Sequence, residues 1–549
     1  MSESRGRLRG ADLLARALDR AGLRTVFTLS GNHIMPVFDA ALGTGLRLIH
    51  TRHEAAAVHM ADAWARLRGE CGVALVTGGA GHTNAVAALP TAEAAESPVL
   101  LLSGHAPLTE LGRGAFQELR QAEMAAPVTK ASWTAGSAEE LGHEVAKAVR
   151  IARSGRPGPV HLSLPVDLLE AEVADRPELW PDPAAFAPEP RGLARSDLQA
   201  LLALLHAAAR PLILAGPTLC QAPAGDVLSR LTRSTGLPAV GMESPRGIND
   251  PSLGAFAEVL KRADLVVLLG KPHDFTIRFG EAPFVDPGCR FAVIDPDPRL
   301  IDRVRREKGE RLVLAAQADA LPSAEAIIEA AGAQIRDDGG WCDEVAAALS
   351  FRPESWATQG PSAPGRVHPA ELCRALTSVL LRRPDAVLCC DGGEIGQWPQ
   401  TIRRDGLRVI NGVAGSIGAG VPFAAGARAA TGAPVIAVMG DGAFGFHLTE
   451  FDTAIRYGLP MVVVVGNDAT WNAEHQIQLR TYGPDRAHGC ELLPTRYDRV
   501  VEALGGHGEH VTEAADLGPA LERALASGRP ACINVVLDRV PAPVIRRAG

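Results

Sequence analysis

The sequence lacks long hydrophobic runs, a basic stripe and paired cysteines. No apolar stretch reaches the length of about 18 residues that a membrane span needs, and the N-terminus MSESRGRLRGADLL is charged where a signal peptide is apolar. The net charge of −8 carries no basic stripe, so we expect no membrane or nucleic-acid partner and a cytoplasmic location. Nine cysteines without a Cys-x-x-Cys pair favour reduced, buried thiols over a disulfide framework or a zinc site.

Two proline-rich stretches and a repeated ending divide the chain. The 549 residues, 46% of them hydrophobic, are enough for about three or four domains. Residues 174–192 and 351–369 are proline-rich and have no helical or strand period, which is typical of linkers. The sequence SGRPGPVHLSLPVD from Ser154 is echoed by SGRPACINVVLD from Ser527, each after an alanine-rich helical pattern. The first and third parts are therefore predicted to be related α/β domains.

The middle part is also predicted to be α/β. It carries the strand-like runs PLILAG, ADLVVLLG and RFAVIDPDP. The first run is followed by PTLC and not by Gly-x-Gly-x-x-Gly, so no Rossmann dinucleotide site is predicted. We expect three doubly wound parallel-sheet domains, at residues 1–180, 190–350 and 366–549.

The most informative stretch is PVIAVMGDGAFGFHLTEFDTAIRYGLPMVVVVGNDATW, which begins at Pro434. Two apolar, β-branched runs flank an amphipathic segment of helix length, which predicts a parallel βαβ unit. Neighbouring strands lie about 4.8 Å apart, so Asp441 and Asp468 should meet at the carboxyl edge of the sheet, where such folds bind ligands. Gly440 and Gly442 let a diphosphate approach the backbone. The pattern predicts a divalent cation and a diphosphate, although Gly-Asp-Gly alone is also a common tight turn.

The spacing of this motif points to a family. Gly-Asp-Gly followed after 27 residues by Asn-Asp resembles the diphosphate motif of the thiamine diphosphate (ThDP) enzymes, which have Asn-Asn at the second position. The resemblance implies ThDP and Mg²⁺ as cofactors, with Asp441, Asp468 and the backbone carbonyl of Thr470 as metal ligands. A rival register, with Asn467 as the ligand, stays open. The expected diphosphate contacts are Gly440, Gly442 and Ala443.

Other segments resemble the same family, in the order pyrimidine-binding, central and diphosphate-binding domain. In HTRHEAAAVH, Glu54 matches the catalytic glutamate that activates the aminopyrimidine, although a glutamate at a helix start is often only dipole-favoured. Ile417 matches the residue that bends the cofactor, although by pattern alone it is an ordinary core residue. The further cofactor contacts that the resemblance implies are Gly78, Asn84, Gly392, Gly393, Glu394 and Gly415.

The first domain looks most like benzaldehyde lyase, and the third looks more like 2-hydroxyacyl-CoA lyase. That likeness implies His33 as the acid/base of the substrate oxygen and Gln117 as an active-site glutamine. The alternative for His33 is a loop imidazole bonded to backbone groups. Glu474 is either a second acid/base or a solvated helix residue. The expected substrate contacts are Ser30, Asn32, His82, Trp471, Ala473 and Glu474.

The expected function is a ThDP- and Mg²⁺-dependent carbon–carbon lyase or carboligase. The resemblance implies small carbonyl substrates, 2-hydroxy ketones or 2-hydroxyacyl thioesters, and ylide and enamine intermediates. It also implies a homodimer or homotetramer with sites at the subunit interface. One alternative is an acetolactate synthase-type enzyme that decarboxylates 2-oxo acids, and another is a non-catalytic subunit of the same fold. The sequence leaves open the acyl donor and acceptor, and whether the central domain binds FAD, ADP or nothing.

Overall fold

A computed structural model describes residues 7–331, 340–402 and 407–547. Within them the fold is α/β, as predicted, with three parallel sheets of six, five and six strands and one small antiparallel pair. The chain forms two compact units. The first comprises the described residues up to Glu189 with Ala425–Thr431 and Asp452–Tyr457, and the second comprises the rest. The three predicted domain boundaries stay predictions.

The first unit is built on a six-stranded parallel sheet in the order β3-β2-β4-β5-β7-β6, and β1 pairs with β8. The strands β4 and β5 are buried along their whole length, which explains their continuous apolar runs. The strands are β1 (Arg7–Arg9), β2 (Thr25–Leu29), β3 (Arg47–His50), β4 (Gly72–Val76), β5 (Val99–His105), β6 (Ala131–Thr134), β7 (Val160–Pro165) and β8 (Glu172–Ala174). The helices are α1 (Gly10–Arg20), α2 (Met35–Ala41), α3 (Glu54–Arg68), α4 (Ala80–Val86), α5 (Leu89–Ala94), α6 (Gln121–Ala125), α7 (Leu141–Arg153) and α8 (Val166–Glu170).

The second unit contains the two remaining sheets. The first of them is five-stranded, in the order β10-β9-β11-β12-β13. Its strands are β9 (Pro211–Ala215), β10 (Ala239–Gly241), β11 (Leu265–Leu269), β12 (Arg290–Ile294) and β13 (Leu312–Ala316). Its helices are α9 (Arg195–Ala207), α10 (Val227–Thr235), α11 (Phe256–Leu260), α12 (Pro298–Lys308), α13 (Ala320–Ala330) and α14 (Trp341–Ser350). A 3-10 turn, Pro217–Leu219, follows β9.

The other sheet of the second unit has the order β15-β14-β16-β17-β19-β18. Its strands are β14 (Val387–Cys390), β15 (Arg408–Ile410), β16 (Val435–Gly440), β17 (Val462–Asn467), β18 (His507–Val511) and β19 (Ala531–Val536). The helices of this part of the chain are α15 (Pro369–Leu381), α16 (Gly393–Gln397), α17 (Gly420–Thr431), α18 (Asp441–His447), α19 (Glu450–Arg456), α20 (Asn472–Tyr482), α21 (Tyr497–Ala503) and α22 (Ala514–Ala526). The segment between β16 and β17 thus forms two short helices, α18 and α19, and not one.

The two six-stranded sheets have the same topology. Numbered within each sheet, the strands run in the order 2-1-3-4-6-5 in both. The repeated SGRP sequences lead into β7 and β19, which occupy the same place in each sheet and follow α7 and α22. This agreement supports the predicted relation between the first and third domains.

Several smaller expectations can be compared with the fold. All nine cysteines are free thiols, and seven are buried. The linkers are largely irregular, but they contain the 3-10 turns Pro177–Leu179, Pro183–Phe186 and Glu354–Ala357. No helix of the described residues has the length and apolarity that a membrane crossing requires.

Candidate active site

Eight of the predicted residues lie at the carboxyl edge of the sheet of the first unit. They follow four neighbouring parallel strands, whose ends share one edge. They are Ser30, Asn32 and His33 after β2, Glu54 after β3, Gly78, His82 and Asn84 after β4, and Gln117 after β5.

Glu54 is the first residue of α3 and is buried. The helix begins here because the His53 side chain accepts a hydrogen bond from Ala55 N at 3.1 Å. Asn84 Nδ2 donates to Glu54 Oε2 at 3.0 Å. A Cβ on Gly81 would lie 3.2 Å from Glu54 Oε1, so the glycine keeps this oxygen uncrowded. One carboxylate oxygen is therefore held in place, and the other has space beside it.

Gln121 braces the glycine-rich turn after β4. Its Oε1 accepts from Gly79 N at 2.9 Å, and its Nε2 donates to Gly104 O at 3.0 Å and to Ser163 Oγ at 3.2 Å. A Cβ on Gly78 would lie 2.7 Å from Gly104 O, so glycine is needed for this close approach. Gln121 is buried and lies 42 residues from Gly79 in the sequence, so no local motif signals its role.

His33 lies in a 3-10 turn, Asn32–Ile34, and is buried. Its Nδ1 is 3.3 Å from Thr77 Oγ1, and its ring stacks on Phe116 with centroids 5.9 Å apart. Burial lowers the pKa of His33 below its ordinary value, which favours the neutral ring at neutral pH. A neutral imidazole can accept a proton, as the predicted role requires.

Three other predicted side chains are at least partly accessible at this edge. Gln117 adopts the left-handed conformation, with φ +57°. It packs closely on Gly79, where an added Cβ would lie 2.7 Å from the Cβ of Gln117. Ser30 is exposed, and its hydroxyl lies 2.8 Å from His50 Nε2. Asn32 is exposed at the start of its turn.

His82, a predicted substrate contact, is buried at this edge. Its side chain is fully buried, with Nδ1 2.9 Å from Ser103 Oγ and its ring centroid 4.5 Å from that of His161. Burial lowers the pKa of His82 to about 4. His82 is therefore neutral at neutral pH, and its Nε2 has no hydrogen-bond partner among the described residues. Its role as a substrate contact stays a prediction.

The predicted residues of the third domain all line one cavity of about 200 Å³ in the second unit. They come from the strand ends and helix starts at the carboxyl edge of its six-stranded sheet. The predicted lining residues are Gly392, Gly393, Glu394, Gly415, Ile417, Gly440, Asp441, Gly442, Ala443, Asp468, Thr470, Trp471, Ala473 and Glu474. Ile395, Gly466 and Asn472 line it too.

Asp441 and Asp468 follow β16 and β17, which are parallel neighbours with Gly440 opposite Gly466. Asp441 is buried, and its Oδ2 has no hydrogen-bond partner among the described residues. Burial raises the pKa of Asp441 to about 6. Burial and then the nearby Asp441 charge raise the pKa of Asp468 to about 7. A bound cation would favour the charged form of both groups.

Asn467, the rival ligand, is held in the protein core. Its Nδ2 donates to Thr495 O at 2.9 Å and to Asn534 Oδ1 at 3.1 Å. Its Oδ1 accepts from Ala469 N at 3.2 Å. These contacts favour Asp468 over Asn467 as the metal ligand.

Glu394 lines the cavity and forms an ion pair with Arg246. Its carboxylate accepts hydrogen bonds from Arg246 Nη2 at 3.3 Å and from Ala542 N. The side chain is only 12% exposed, so screening by water is limited. Arg246 therefore reduces the repulsion that a carboxylate would exert on a diphosphate, and at 148 residues away it has no local sequence signal.

Asp391, at the end of β14, organises the segment before α17. Its buried carboxylate accepts from the backbone N–H groups of Gly392, Gly418 and Gly420 at 2.6 to 3.1 Å. Burial raises the pKa of Asp391 to about 6, against the lowering effect of these donors. Ile417 in this segment is half-buried and packs on Gly392, where a Cβ would lie 2.6 Å from Ile417 Cγ2. Its place at the cavity argues against an ordinary core role.

The start of α20 forms another wall of the cavity. A Cβ on Gly442 would lie 2.6 Å from the Trp471 ring, so the glycine admits this ring as well as a ligand. Ala473 is half-buried and Glu474 is exposed. Trp471 and Ala473 therefore present a mainly apolar surface beside the two aspartates.

The donor set fits a hard divalent cation and a diphosphate. Carboxylate and carbonyl oxygens suit Mg²⁺, and the unpartnered Asp441 oxygen is free to bind it. In the described ranges no three His, Cys, Asp or Glu side chains cluster as a metal site, so a cation here needs backbone or ligand oxygens as well.

Comparisons with known proteins agree with this geometry. Residues 8–124 match the thiamine pyrophosphate enzyme N-terminal TPP binding domain, and residues 391–535 match the C-terminal TPP binding domain. The chain is 34% identical to the acetolactate synthase large subunit IlvG of Mycobacterium tuberculosis, over 96% of this chain and 95% of the relative. It is 29% identical to 2-hydroxyacyl-CoA lyase 2 of Homo sapiens and 30% to that of Caenorhabditis elegans, with 96% and 98% of this chain covered and 90% and 91% of the relatives.

Both cofactor-binding domains and nearly the whole length of the chain are thus matched. The chain belongs to the thiamine diphosphate-dependent enzymes of the acetolactate synthase-like superfamily, as a lyase or carboligase.

Proposed function

We propose that the chain is a ThDP- and Mg²⁺-dependent carbon–carbon lyase or carboligase that acts on 2-hydroxy ketones or 2-hydroxyacyl thioesters. The main support is the cavity in which Asp441 keeps a buried, unpartnered oxygen, within the described part of the chain, beside Asp468. These two carboxylates and the Thr470 carbonyl would hold Mg²⁺. Gly440 and Gly442, which have no side chains to exclude it, would admit the diphosphate.

Glu54 and Ile417 prepare the cofactor. When bound, ThDP supplies a nucleophilic carbon that adds to a carbonyl and carries the electron pair of the broken carbon–carbon bond. Asn84 fixes Glu54 Oε2, so that Glu54 Oε1 would be placed to share a proton with a ring nitrogen of the aminopyrimidine. Ile417 would support the cofactor, and the carbonyl of Gly415 would accept a hydrogen bond from its exocyclic amine.

His33 handles the proton of the substrate oxygen. In cleavage, its neutral imidazole accepts the hydroxyl proton as the carbon–carbon bond breaks, and in ligation it returns that proton. The lowered pKa of His33 supports this role, because it keeps the ring unprotonated at neutral pH. Gln117 and the exposed Ser30 and Asn32 bind the substrate nearby. Lysis and ligation are the same steps in opposite directions.

The proposed assembly is a homodimer or homotetramer in the cytoplasm. In it, the first domain of one subunit and the third domain of another share one cofactor. Light scattering after size-exclusion chromatography tests this assembly, and a monomer with bound ThDP and full activity would contradict it.

A second candidate is an acetolactate synthase-type decarboxylating carboligase. The higher identity to an acetolactate synthase, 34% against 29% and 30% for the lyases, favours it. The two candidates share the cofactor and differ in the acyl donor. A lyase cleaves a 2-hydroxyacyl thioester or a 2-hydroxy ketone without CO₂, and a synthase releases CO₂ from pyruvate.

One experiment separates these functions. The enzyme with ThDP and Mg²⁺ is incubated in parallel with pyruvate, a 2-hydroxyacyl thioester and a 2-hydroxy ketone, and the products are followed by mass spectrometry and CO₂ release. Cleavage of either hydroxy compound supports the lyase. CO₂ and a 2-hydroxy-2-methyl-3-oxo acid from pyruvate alone would overturn it in favour of the synthase. Glu54→Gln is the control, because any activity that survives in it does not arise at this site.

A further inference from the structure

The loop between β17 and α20 carries two of the proposed metal ligands in an unusual backbone conformation. Ala469, between Asp468 and Thr470, has φ +53°. This left-handed region is sparsely populated by residues with a Cβ, because the Cβ crowds the backbone. Such a conformation persists only where the surrounding structure holds it. Contacts with the surrounding residues must therefore hold Ala469 in this conformation.

Two side chains contact the loop backbone at Ala469: Asn467, whose Oδ1 accepts from Ala469 N, and Arg539, which lies 70 residues further along the chain. Arg539 Nε donates to Asp468 O at 2.9 Å, and its Nη2 donates to Ala469 O at 3.3 Å. Leu492 N also donates to Ala469 O, at 2.8 Å. The next carbonyl, that of Thr470, accepts no hydrogen bond from the residues that the structure describes. Two successive carbonyls are thus occupied, and the third is left for a ligand.

Arg539 is itself fixed in position, because the chain on both sides of it is tied down. Before it, Leu537 N donates to Asn467 O at 3.0 Å, and Asp538 accepts from Ser362 N at 2.6 Å. After it, Val540 O accepts from the Asn472 side chain at 2.9 Å. The arginine therefore reaches the loop from a braced C-terminal segment.

We propose that Arg539 is a positioning residue that holds the Asp468–Thr470 loop in its left-handed conformation, so that the Asp468 carboxylate and the Thr470 carbonyl turn to one cation. The proposal rests on the proposed metal site. The planar guanidinium suits the task because two of its N–H groups meet two adjacent carbonyls, whereas a lysine ammonium on a flexible stem cannot hold both in one geometry. Arg539 donates hydrogen bonds to the two loop carbonyls. Its charge also acts on the Asp468 carboxylate and lies 3.9 Å from Glu491 Oε1, so Arg539→Lys, which keeps the charge, separates the geometric effect from the electrostatic one.

The test combines cofactor binding with hydrogen exchange on full-length protein. Arg539→Met removes the donors, and Arg539→Lys restores the charge. Arg546→Met is the matched control, because it removes the same charge from an exposed side chain seven residues further along the same segment. Amide exchange is measured on cofactor-free protein for the peptide that contains Ala469. Mg²⁺-dependent ThDP binding is followed by the fluorescence of Trp471, which lines the cavity.

We expect Arg539→Met to speed exchange in the Ala469 peptide and to weaken ThDP binding by roughly tenfold to a hundredfold, the usual effect of removing a support of a metal ligand. Arg539→Lys should fall between this variant and the wild type, and Arg546→Met should match the wild type. Wild-type exchange in Arg539→Met, with peptides of β16 and β19 also unchanged, would overturn the proposal. Faster exchange in every peptide would do so too, since it would make Arg539 a general stability residue.

The same data separate this inference from the proposed function. If Asp441→Ala binds ThDP and Mg²⁺ like the wild type, the metal assignment fails, whatever Arg539 does. If Asp441→Ala loses binding and Arg539→Met does not, the metal site stands and the positioning role is overturned.

Discussion

The two six-stranded sheets share one strand order, and their carboxyl edges differ in chemistry. At the edge of the first unit the acidic residue has a partner, since Asn84 donates to Glu54. At the corresponding edge of the second unit, Asp441 keeps one buried oxygen that has no hydrogen-bond partner among the described residues. Burial and then the nearby Asp441 charge raise the pKa of Asp468.

This difference shows how one topology serves two tasks. A carboxylate that exchanges a single proton must be held in one position, so a hydrogen bond from a neighbouring side chain, here Asn84 to Glu54, fixes one of its oxygens. A group that binds a cation needs uncompensated negative charge, which is costly until the cation arrives. Substitutions of Glu54, of the two aspartates and of His33 test this division, from the largest expected effect to the smallest.

At the edge of the first unit, activity should fall most when the Glu54 carboxylate is replaced by a neutral group. Glu54→Gln keeps the shape and the Asn84 contact, but an amide cannot share a proton with the aminopyrimidine. We expect turnover to fall by roughly 10³-fold, within the usual range for an essential acid or base, with ThDP affinity nearly unchanged. Proton exchange at the reactive carbon of bound ThDP measures this directly. Near wild-type exchange would show that Glu54 is not the activator.

At the edge of the second unit, substitutions of the aspartates should lower the affinity for ThDP and not only the turnover. Asp441→Ala and Asp468→Ala each remove a ligand, and we expect ThDP binding at fixed Mg²⁺ to weaken by roughly 10². Asp468→Asn should retain binding, because an amide oxygen still coordinates and one negative charge beside the diphosphate is removed.

Titration of cofactor-free protein with ThDP at fixed Mg²⁺ also decides whether Asp468 or Asn467 is the metal ligand. The core contacts of Asn467 imply that Asn467→Ala lowers stability more than it lowers metal affinity. Normal ThDP binding by Asp468→Ala, together with loss of binding by a folded Asn467→Ala, would shift the ligand by one residue.

His33 sharpens the comparison within the first unit. If it transfers the substrate proton, His33→Ala should lower turnover by about 10²-fold, with ThDP affinity unchanged. The lowered pKa of His33 in the free protein also predicts that the acidic limb of the kcat/KM profile lies below the ordinary histidine value of about 6.5. An equal loss of ThDP affinity would make His33 a structural residue.

Site residues could be predicted from the sequence where their role depends on the local pattern, and not where it depends on contacts between residues far apart in the chain. Asp441 and Asp468 were predictable because each directly follows an apolar run, and adjacent parallel strands bring such ends together. Gln121, Arg246 and Arg539 were not predictable, because they reach the site by packing over 42, 148 and 71 residues of chain. Asp391 was within reach, since it stands directly before the glycines of CDGG, but its backbone acceptor role depends on the distant Gly418 and Gly420.

His82 is buried within the motif that carried its prediction, and its orientation was not readable from the sequence. Its burial predicts an effect on stability, which is separate from its predicted role as a substrate contact. The folded protein keeps His82 neutral down to a pKa of about 4, whereas the unfolded chain takes up a proton near pH 6.5. Between these values the unfolded state binds more protons, so stability falls as the pH falls from about 6.5 to about 4.

The shift corresponds to roughly 3 kcal/mol over that window, at about 1.4 kcal/mol for each pKa unit. His82→Gln, which cannot take up a proton, should therefore show a shallower loss of unfolding free energy between pH 6.5 and 4.5 than the wild type. His206→Gln, the same substitution at an exposed position of α9, is the matched control. Urea unfolding at several pH values measures these slopes. If His82→Gln kept the wild-type slope, another group whose pKa is lowered by burial, such as the neighbouring His161, would account for the acid sensitivity, and His82 would not.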